Sequence, residues 1–336
     1  MPTYAEIKSM VVGQAFGSTH VPQTDLSGKT FIVTGSNTGL GLEAAMHLAR
    51  LKVSTLILAC RNTAKGEAAK DAILETTACH SHTHIQVWPL DLASHDSVIA
   101  FGRRVRSSEL PRLDGFIANA GVEVQQYSEA EGLELHLTVN VVSTFMSAMA
   151  ALPKMRQTSA RHGVQTAMTF VGSMYHIFGP DRELDVADDV DIFAALSDTG
   201  EADMPGRYAL SKLMEHQCHA AFARAVAQSH GGGRLTVNIA NPGWCVTELA
   251  RSKDRAFHEK FFSSLIGWTA EKGSRAVVYA ALQGEESHGR YLSECQCKEE
   301  SAYVTSDRGR RIQAKMWKDL CVRVERVAPE IASFAR

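Results

Sequence analysis

Between residues 30 and 293, short apolar and β-branched runs alternate with longer stretches whose apolar positions recur every three or four residues. The short runs read as strands buried on both faces, and the longer stretches as helices with one apolar stripe. The pattern predicts strands at Thr30–Val33, Thr55–Ala59, Ile85–Leu90, Gly115–Ala118, Ala167–Val171, Leu235–Ile239 and near Arg290–Ser293. It predicts helices at Leu40–Leu51, Thr63–Glu75, Asp96–Arg106, within Glu129–Met155, at Tyr208–Ala227 and at Glu271–Leu282. Ile312, Met316, Leu320 and Val324 then mark a C-terminal helix over Asp307–Val327. Strands that alternate with helices imply crossover connections, and hence a doubly wound α/β fold: a parallel seven-stranded sheet with helices on both faces.

Two stretches break this rhythm, an acid-rich insertion at 174–207 and an irregular lid at 244–268. Residues 1–28 read as a tail with one short helix, and 305–336 hold the C-terminal helix. No linker composition intervenes, so a single domain with elaborations is expected. Val139–Leu152 is the most apolar stretch, but Asn140, Ser143, Thr144 and Ser147 interrupt it. A buried helix accounts for it better than a membrane span.

The first predicted strand runs into Gly35-Ser36-Asn37-Thr38-Gly39-Leu40-Gly41 and then a helix. Glycines there allow a tight turn and close backbone approach, and the helix start offers free N–H groups to a pyrophosphate. The second strand ends in Ala59-Cys60-Arg61-Asn62. An acid at that point would suit the 2′-hydroxyl of NAD. The guanidinium of Arg61 instead suits a 2′-phosphate, which points to NADP(H). Tyr208 and Lys212 stand at i and i+4, on one face of a predicted helix. A phenol beside an ammonium ionises more readily, which makes a plausible acid–base group. Tyr4 and Lys8 share that spacing, but they precede the first strand and read as surface helix.

Taken in order, these segments resemble the short-chain dehydrogenase/reductase family over roughly residues 28–295. Thr34–Gly41 matches its cofactor loop, Asp91-Leu92 its adenine contact, Asn119-Ala120-Gly121 its Asn-Ala-Gly segment and Asn140 its helix asparagine. Ser173, Tyr208 and Lys212 match its active-site trio, and Pro242-Gly243 with Thr247 the stretch that faces the nicotinamide. The resemblance implies a Rossmann fold and a proton passed between Tyr208 and a carbonyl or alcohol oxygen. It implies that Ser173 hydrogen-bonds that oxygen, that Lys212 lowers the Tyr208 pKa and holds the ribose, and that Asn140 holds a relay water. It also implies a homodimer through the helices that carry Asn140 and Tyr208, unless the insertion blocks it. Ala59–Asn62 is similar to the retinol-dehydrogenase-like branch, and the overall shape to fungal enzymes of secondary metabolism. The 35 positions from Ser173 to Tyr208 exceed the family's usual spacing.

Tyr175 and Trp244 adjoin the matched positions and are the candidate substrate contacts. His176, Phe178, Phe193, Phe257, Phe261, Phe262 and Trp268 lie in the same two segments. This aromatic content suggests a bulky lipophilic carbonyl substrate. The expected activity is NADPH-dependent interconversion of a ketone and a secondary alcohol. A non-redox enzyme on the same fold, or an NADP-binding scaffold, is the alternative. Asp181, Glu183, Asp185, Asp188, Asp189 and Asp191 read as a solvated loop face, and Arg308, Arg310, Arg311, Lys315 and Lys318 as an exposed helix face. Cys79–His84 and Cys295-Gln296-Cys297 lack zinc spacing, so no metal is expected. Apolar residues make up 45% and charged residues 21% of 336, which excludes a disordered chain. A net charge of −2 gives no basic field for nucleic acid. Seven cysteines without a paired framework and no signal-peptide pattern point to reduced thiols and a cytoplasmic setting with no membrane anchor.

Overall fold

The computed structural model describes residues 2–79, 81–200, 202–229, 232–246 and 267–335. Its strands are β1 (Thr30–Thr34), β2 (Thr55–Cys60), β3 (His84–Pro89), β4 (Gly115–Ala118), β5 (Glu129–Ala130), β6 (Leu133–Glu134), β7 (Gln165–Val171), β8 (Arg234–Asn241), β9 (Tyr291–Ser293) and β10 (Gln296–Lys298). Its main helices are α1 (Tyr4–Phe16), α2 (Gly39–Arg50), α3 (Thr63–Thr77), α4 (His95–Arg106), α5 (Thr144–His162), α6 (Ile192–Leu196), α7 (Met204–Gln228) and α8 (Ala270–Ala281), followed by a C-terminal helix (Asp307–Val327). The central sheet runs β10-β9-β8-β7-β4-β1-β2-β3. All its neighbours are parallel except β9 and β10. The order reverses beside β1, between β2 and β4, which opens a crevice at the C-terminal strand ends where such sheets bind ligands. Strands β1 and β4 are buried along their whole length, as their unbroken apolar runs require.

The sheet therefore has eight strands rather than the seven predicted. The extra strand, β10, closes a hairpin through Glu294 and Cys295, at φ 48° and 57°. Such a turn usually carries Asn or Gly, and this one carries neither, so no turn signal was legible. A two-stranded ribbon, β5–β6, is likewise new, and Glu131 and Gly132 turn it with positive φ.

The first 28 residues are not a tail. Leu26 is fully buried in the core beneath β1, and its N–H donates to the carbonyl of Leu51. The Thr19 hydroxyl donates to the Lys272 carbonyl, and His20 meets Tyr279 edge to face at 5.1 Å. The amide of buried Gln14 reaches the chain after β8. Helix α1 still leaves Tyr4 exposed, as expected of a surface helix.

The insertion is not a free solvated loop, and the basic C-terminal face is not free either. Arg308 binds Asp181 and Asp185, Arg323 binds Asp191 at 2.7 Å, and the Lys315 ammonium donates to the Val190 carbonyl at 2.6 Å. Single exposed pairs are worth little, but several holding one segment act together. The C-terminal helix also lies across α5 and α7. Trp317 packs 6.4 Å from Phe145 and 5.8 Å from Phe222, and Gln313 donates to Gln217. The helix pair expected to dimerise is thus covered by the chain itself over this stretch. Among the described residues, no helix is long and apolar enough to cross a membrane.

Truncating Leu26→Ala should cost about 2–5 kcal/mol in chemical denaturation; a dispensable tail would give no change.

Candidate active site

A cleft of about 420 Å³ runs along the C-terminal edge of the sheet. At one end β1 passes into the glycine loop. Gly35 and Gly39 have φ of 64° and 57°, a region that favours glycine. A Cβ at Gly41 would lie 2.5 Å from the Asn119 amide nitrogen and from the Gly35 carbonyl oxygen. That amide donates to the Thr34 carbonyl at 2.9 Å, while the Thr34 hydroxyl accepts from the backbone N–H of both Asn119 and Ala120. Asn119 and Thr34 thereby tie the ends of β1 and β4 together and hold the loop open. The first turn of α2 carries no acidic residue to neutralise its positive end. The Ser36 hydroxyl is buried without a protein partner.

Gly35, Asn37, Thr38, Gly39, Leu40, Arg61, Asp91, Leu92, Asn119, Ala120 and Gly121 line this part of the cleft. Ser36 and Gly41 stand behind it. Asn62 does not reach it, because its side chain caps α3 by accepting from the Lys65 N–H at 2.9 Å. The residue serves the helix start rather than the cleft.

At the other end stand Ser173, Tyr208 and Lys212, with Pro242, Gly243 and Trp244 opposite. Helix α7 packs against β8 and the turn after β7 (Met174–Phe178), and carries both Tyr208 and Lys212. The Ser173 hydroxyl lies near enough to the Tyr208 phenol to favour its ionised form slightly. Burial pushes the Tyr208 phenol up, and Lys212 and Ser173 only partly offset it. The Lys212 ammonium lies 6.0 Å from the Tyr208 ring centre. It donates to the Val171 carbonyl at 2.8 Å and to the Glu215 carboxylate at 2.7 Å. Burial, the largest single cause, would depress Lys212, yet Glu215, Tyr208 and Glu123 together outweigh it and the net shift is upward.

Glu215 was not legible as a functional residue. It follows Lys212 at i+3 on a helix with no clear apolar stripe, where an acid usually faces solvent, and only the packing of α7 buries it. It raises Tyr208 as well as Lys212.

Asn140 sits in a π-helical turn, Leu137–Ser143, ahead of α5. Such turns recur at functional sites. Its amide nitrogen donates to the Val122 carbonyl and to the Ser211 hydroxyl, both at 3.0 Å, and its oxygen accepts from the Val122 N–H at 2.8 Å. It is 1% exposed and bonds α7 at Ser211, the residue before Lys212. Asn241 accepts from the N–H of Met174 and of Gly243, and so joins the segment after Ser173 to the one after β8. Gln14 completes this side: its oxygen accepts from the Trp244 N–H at 2.8 Å. A Cβ at Gly243, where φ is 79°, would press on the Trp268 ring at 2.8 Å.

Tyr175 lines the cleft with its ring 6.2 Å from that of Tyr208, and Trp244 lines it too. Phe193 is fully buried in the core and Trp268 is 5% exposed, donating to the Gln14 carbonyl, so both pack rather than line the cleft. His176 is buried away from it. Thr247, Phe257, Phe261 and Phe262 lie outside the described residues.

Comparison with known proteins agrees with this fold. A family model for short chain dehydrogenases matches residues 29–175. The short chain dehydrogenase/reductase dmxR8 of Cryptosporiopsis sp. (strain 8999) is 40% identical, over 95% of this chain and 98% of that protein. The short-chain dehydrogenase anuD of Penicillium roqueforti (strain FM164) is 36% identical over 96% of this chain and 84% of its own. Among solved structures, a short chain dehydrogenase from Pseudomonas syringae superposes with a TM-score of 0.60 at 20% identity, over 82% of this chain and 98% of that one. One from Shigella flexneri, complexed with NADP, gives 0.56 at 24%, over 80% and 98%.

Replacing Glu215→Gln should let the Tyr208 phenol ionise at lower pH than in the wild type. Alkaline ultraviolet difference titration, referenced to Tyr208→Phe, reads the displacement, and an unmoved titration would remove Glu215 from the phenol's electrostatics.

Proposed function

The chain belongs to the short-chain dehydrogenase/reductase family of oxidoreductases, and on that premise we propose that it is an NADPH-dependent reductase. It interconverts a ketone and a secondary alcohol on a bulky lipophilic or aromatic compound. The observation that carries this reading is a single cleft with the Ser173–Tyr208–Lys212 group at one end and the glycine loop and Arg61 at the other. The donor set there fits a dinucleotide with an extra phosphate. It offers the unneutralised start of α2, the glycine turn, and an exposed guanidinium where a 2′-phosphate would lie. The NADP in the complex of the Shigella flexneri dehydrogenase supports the same choice.

NADPH, when bound, supplies the hydride. A substrate carbonyl oxygen seated between the Ser173 hydroxyl and the Tyr208 phenol accepts a hydrogen bond from each. As negative charge grows on that oxygen, Tyr208 yields its proton to it. Lys212 stabilises the phenolate left behind. Asn140, through Ser211, and Glu215 hold α7 and the ammonium in place while this happens. Tyr175 and Trp244 offer aromatic walls to the substrate. Because Tyr208 is shifted upward, it is a phenol at neutral pH, the form that donates. A protonated Tyr208 is the form that the reductive step needs, in a cytoplasmic enzyme.

A panel of bulky aromatic, polyketide-like and terpenoid ketones, followed by NADPH absorbance and product mass, tests the reading. Tyr208→Phe should lower kcat by roughly 10²–10⁴-fold. In the wild type, reduction should fade as pH rises through the Tyr208 titration, and alcohol oxidation should grow over the same range. Products formed without NADPH consumption would favour the non-redox alternative.

Replacing Arg61→Ala should weaken NADPH binding by about 1.5–3 kcal/mol and leave NADH binding nearly unchanged. Equal losses for the two cofactors, measured by fluorescence titration, would remove Arg61 from 2′-phosphate recognition.

A further inference from the structure

Behind the catalytic cleft, on the far side of Ser173, two histidines and a glutamate converge. His176 lies on the turn after Ser173, His216 on α7 one turn beyond Lys212, and Glu300 just after β10. The two imidazoles stack with centres 3.9 Å apart, at 16°. His216 Nδ1 is 2.9 Å and His176 Nε2 is 4.0 Å from the same Glu300 oxygen, Oε2. All three donor atoms lie within 4.8 Å of one another, the one such group among the described residues.

The hydrogen bonds fix which atoms are lone pairs. His176 Nδ1 lies 2.8 Å from the Ser173 carbonyl, which can only accept, so Nδ1 carries the proton. His176 Nε2 is then a bare lone pair facing a carboxylate, and it has no hydrogen-bond partner. Glu300 Oε1 and His216 Nε2 are also buried without partners. His176 and His216 are 3% and 0% exposed. Two lone-pair donors and a carboxylate, sequestered together, lack the cation that would satisfy them. Burial pushes both imidazoles down to about 3, so both are neutral, the form that ligates metal.

We propose that His176, His216 and Glu300 form a binding site for a divalent transition ion of the Zn²⁺ type, separate from the Tyr208 cleft. A nitrogen–nitrogen–oxygen set suits such an ion. Ligands on a tetrahedral ion with bonds of about 2.0 Å stand about 3.3 Å apart, and the observed separations bracket that value. The backbone carbonyl on His176 Nδ1–H is the outer partner that metal-bound histidines usually have. Gly172 leaves the room: a Cβ there would lie 2.6 Å from His216 Nε2. Binding through His216 Nδ1 requires the other neutral tautomer, its single proton passing from Nδ1 to Nε2, and a turn of one ring out of the stack so that both lone pairs meet the ion. A cavity of about 940 Å³, lined in part by His176 and Glu300, gives the ion a path inward and a water its fourth position. The occupied site would pin the turn after Ser173, α7 and the segment after β10 to one point.

Untagged full-length protein, stripped with chelator, is titrated with Zn²⁺ and separately with Co²⁺. One equivalent of Zn²⁺ should bind, and Tm should rise by roughly 5 °C at a hundredfold excess over Kd. Bound Co²⁺ should show visible bands of a four-coordinate ion without thiolate charge-transfer. The isosteric Glu300→Gln should weaken binding at least about tenfold. His82→Gln, at an exposed histidine of the Cys79–His84 segment, should leave it unchanged. No stoichiometric uptake by the wild type overturns the proposal, as does uptake kept in Glu300→Gln and lost in His82→Gln. Should Glu300→Gln fail to fold, the Co²⁺ spectrum of the wild type decides, since thiolate bands would place the ion elsewhere.

Discussion

A buried ammonium organises this molecule. Lys212 is almost fully enclosed, and an unpaired cation there would cost several kcal/mol. Its two partners come from different elements: the Val171 carbonyl ends β7, and Glu215 lies one turn further along α7. Satisfying the charge therefore locks α7 against the C-terminal edge of β7. Once that crossing is fixed, Tyr208, one turn back on α7, must stand beside Ser173, which follows β7 by two residues. The same crossing brings Ser211 to Asn140 and sets His216 against His176.

Around this joint the chain uses its extremities as fasteners. Gln14, from the N-terminal extension, holds Trp244 and Trp268 at the edge of the cleft. The C-terminal helix covers α5 and α7 and grips the insertion through Arg308 and Arg323. Both ends of the chain therefore bear on the geometry of a site encoded in its middle. The long gap between Ser173 and Tyr208 does not pull the two apart, because the insertion is folded back and pinned rather than threaded through the site.

The acid–base and cofactor candidates were legible because they sit at strand ends or one helical turn apart, where local spacing fixes relative position. Tyr208 and Lys212 share a helix face by periodicity, and Gly35, Gly39 and Gly41 share a loop by adjacency. Residues that depend on distant partners were not legible. Glu215 looks like any exposed helical acid until the packing of α7 buries it. Asn62 sits in the right segment but turns to cap α3. Gln14 acts across 230 positions, a separation that no local pattern encodes.

The amino-acid sequence by itself determined the α/β alternation, the glycine loop and the order of the acid–base candidates. Each of these follows from hydrophobic period or from contacts within a few residues. Only the tertiary structure decided the eighth strand, the docking of both termini, the Lys212–Glu215 pair and the meeting of His176, His216 and Glu300. These depend on which side chains lose their water together, and that is settled when elements far apart in the chain pack.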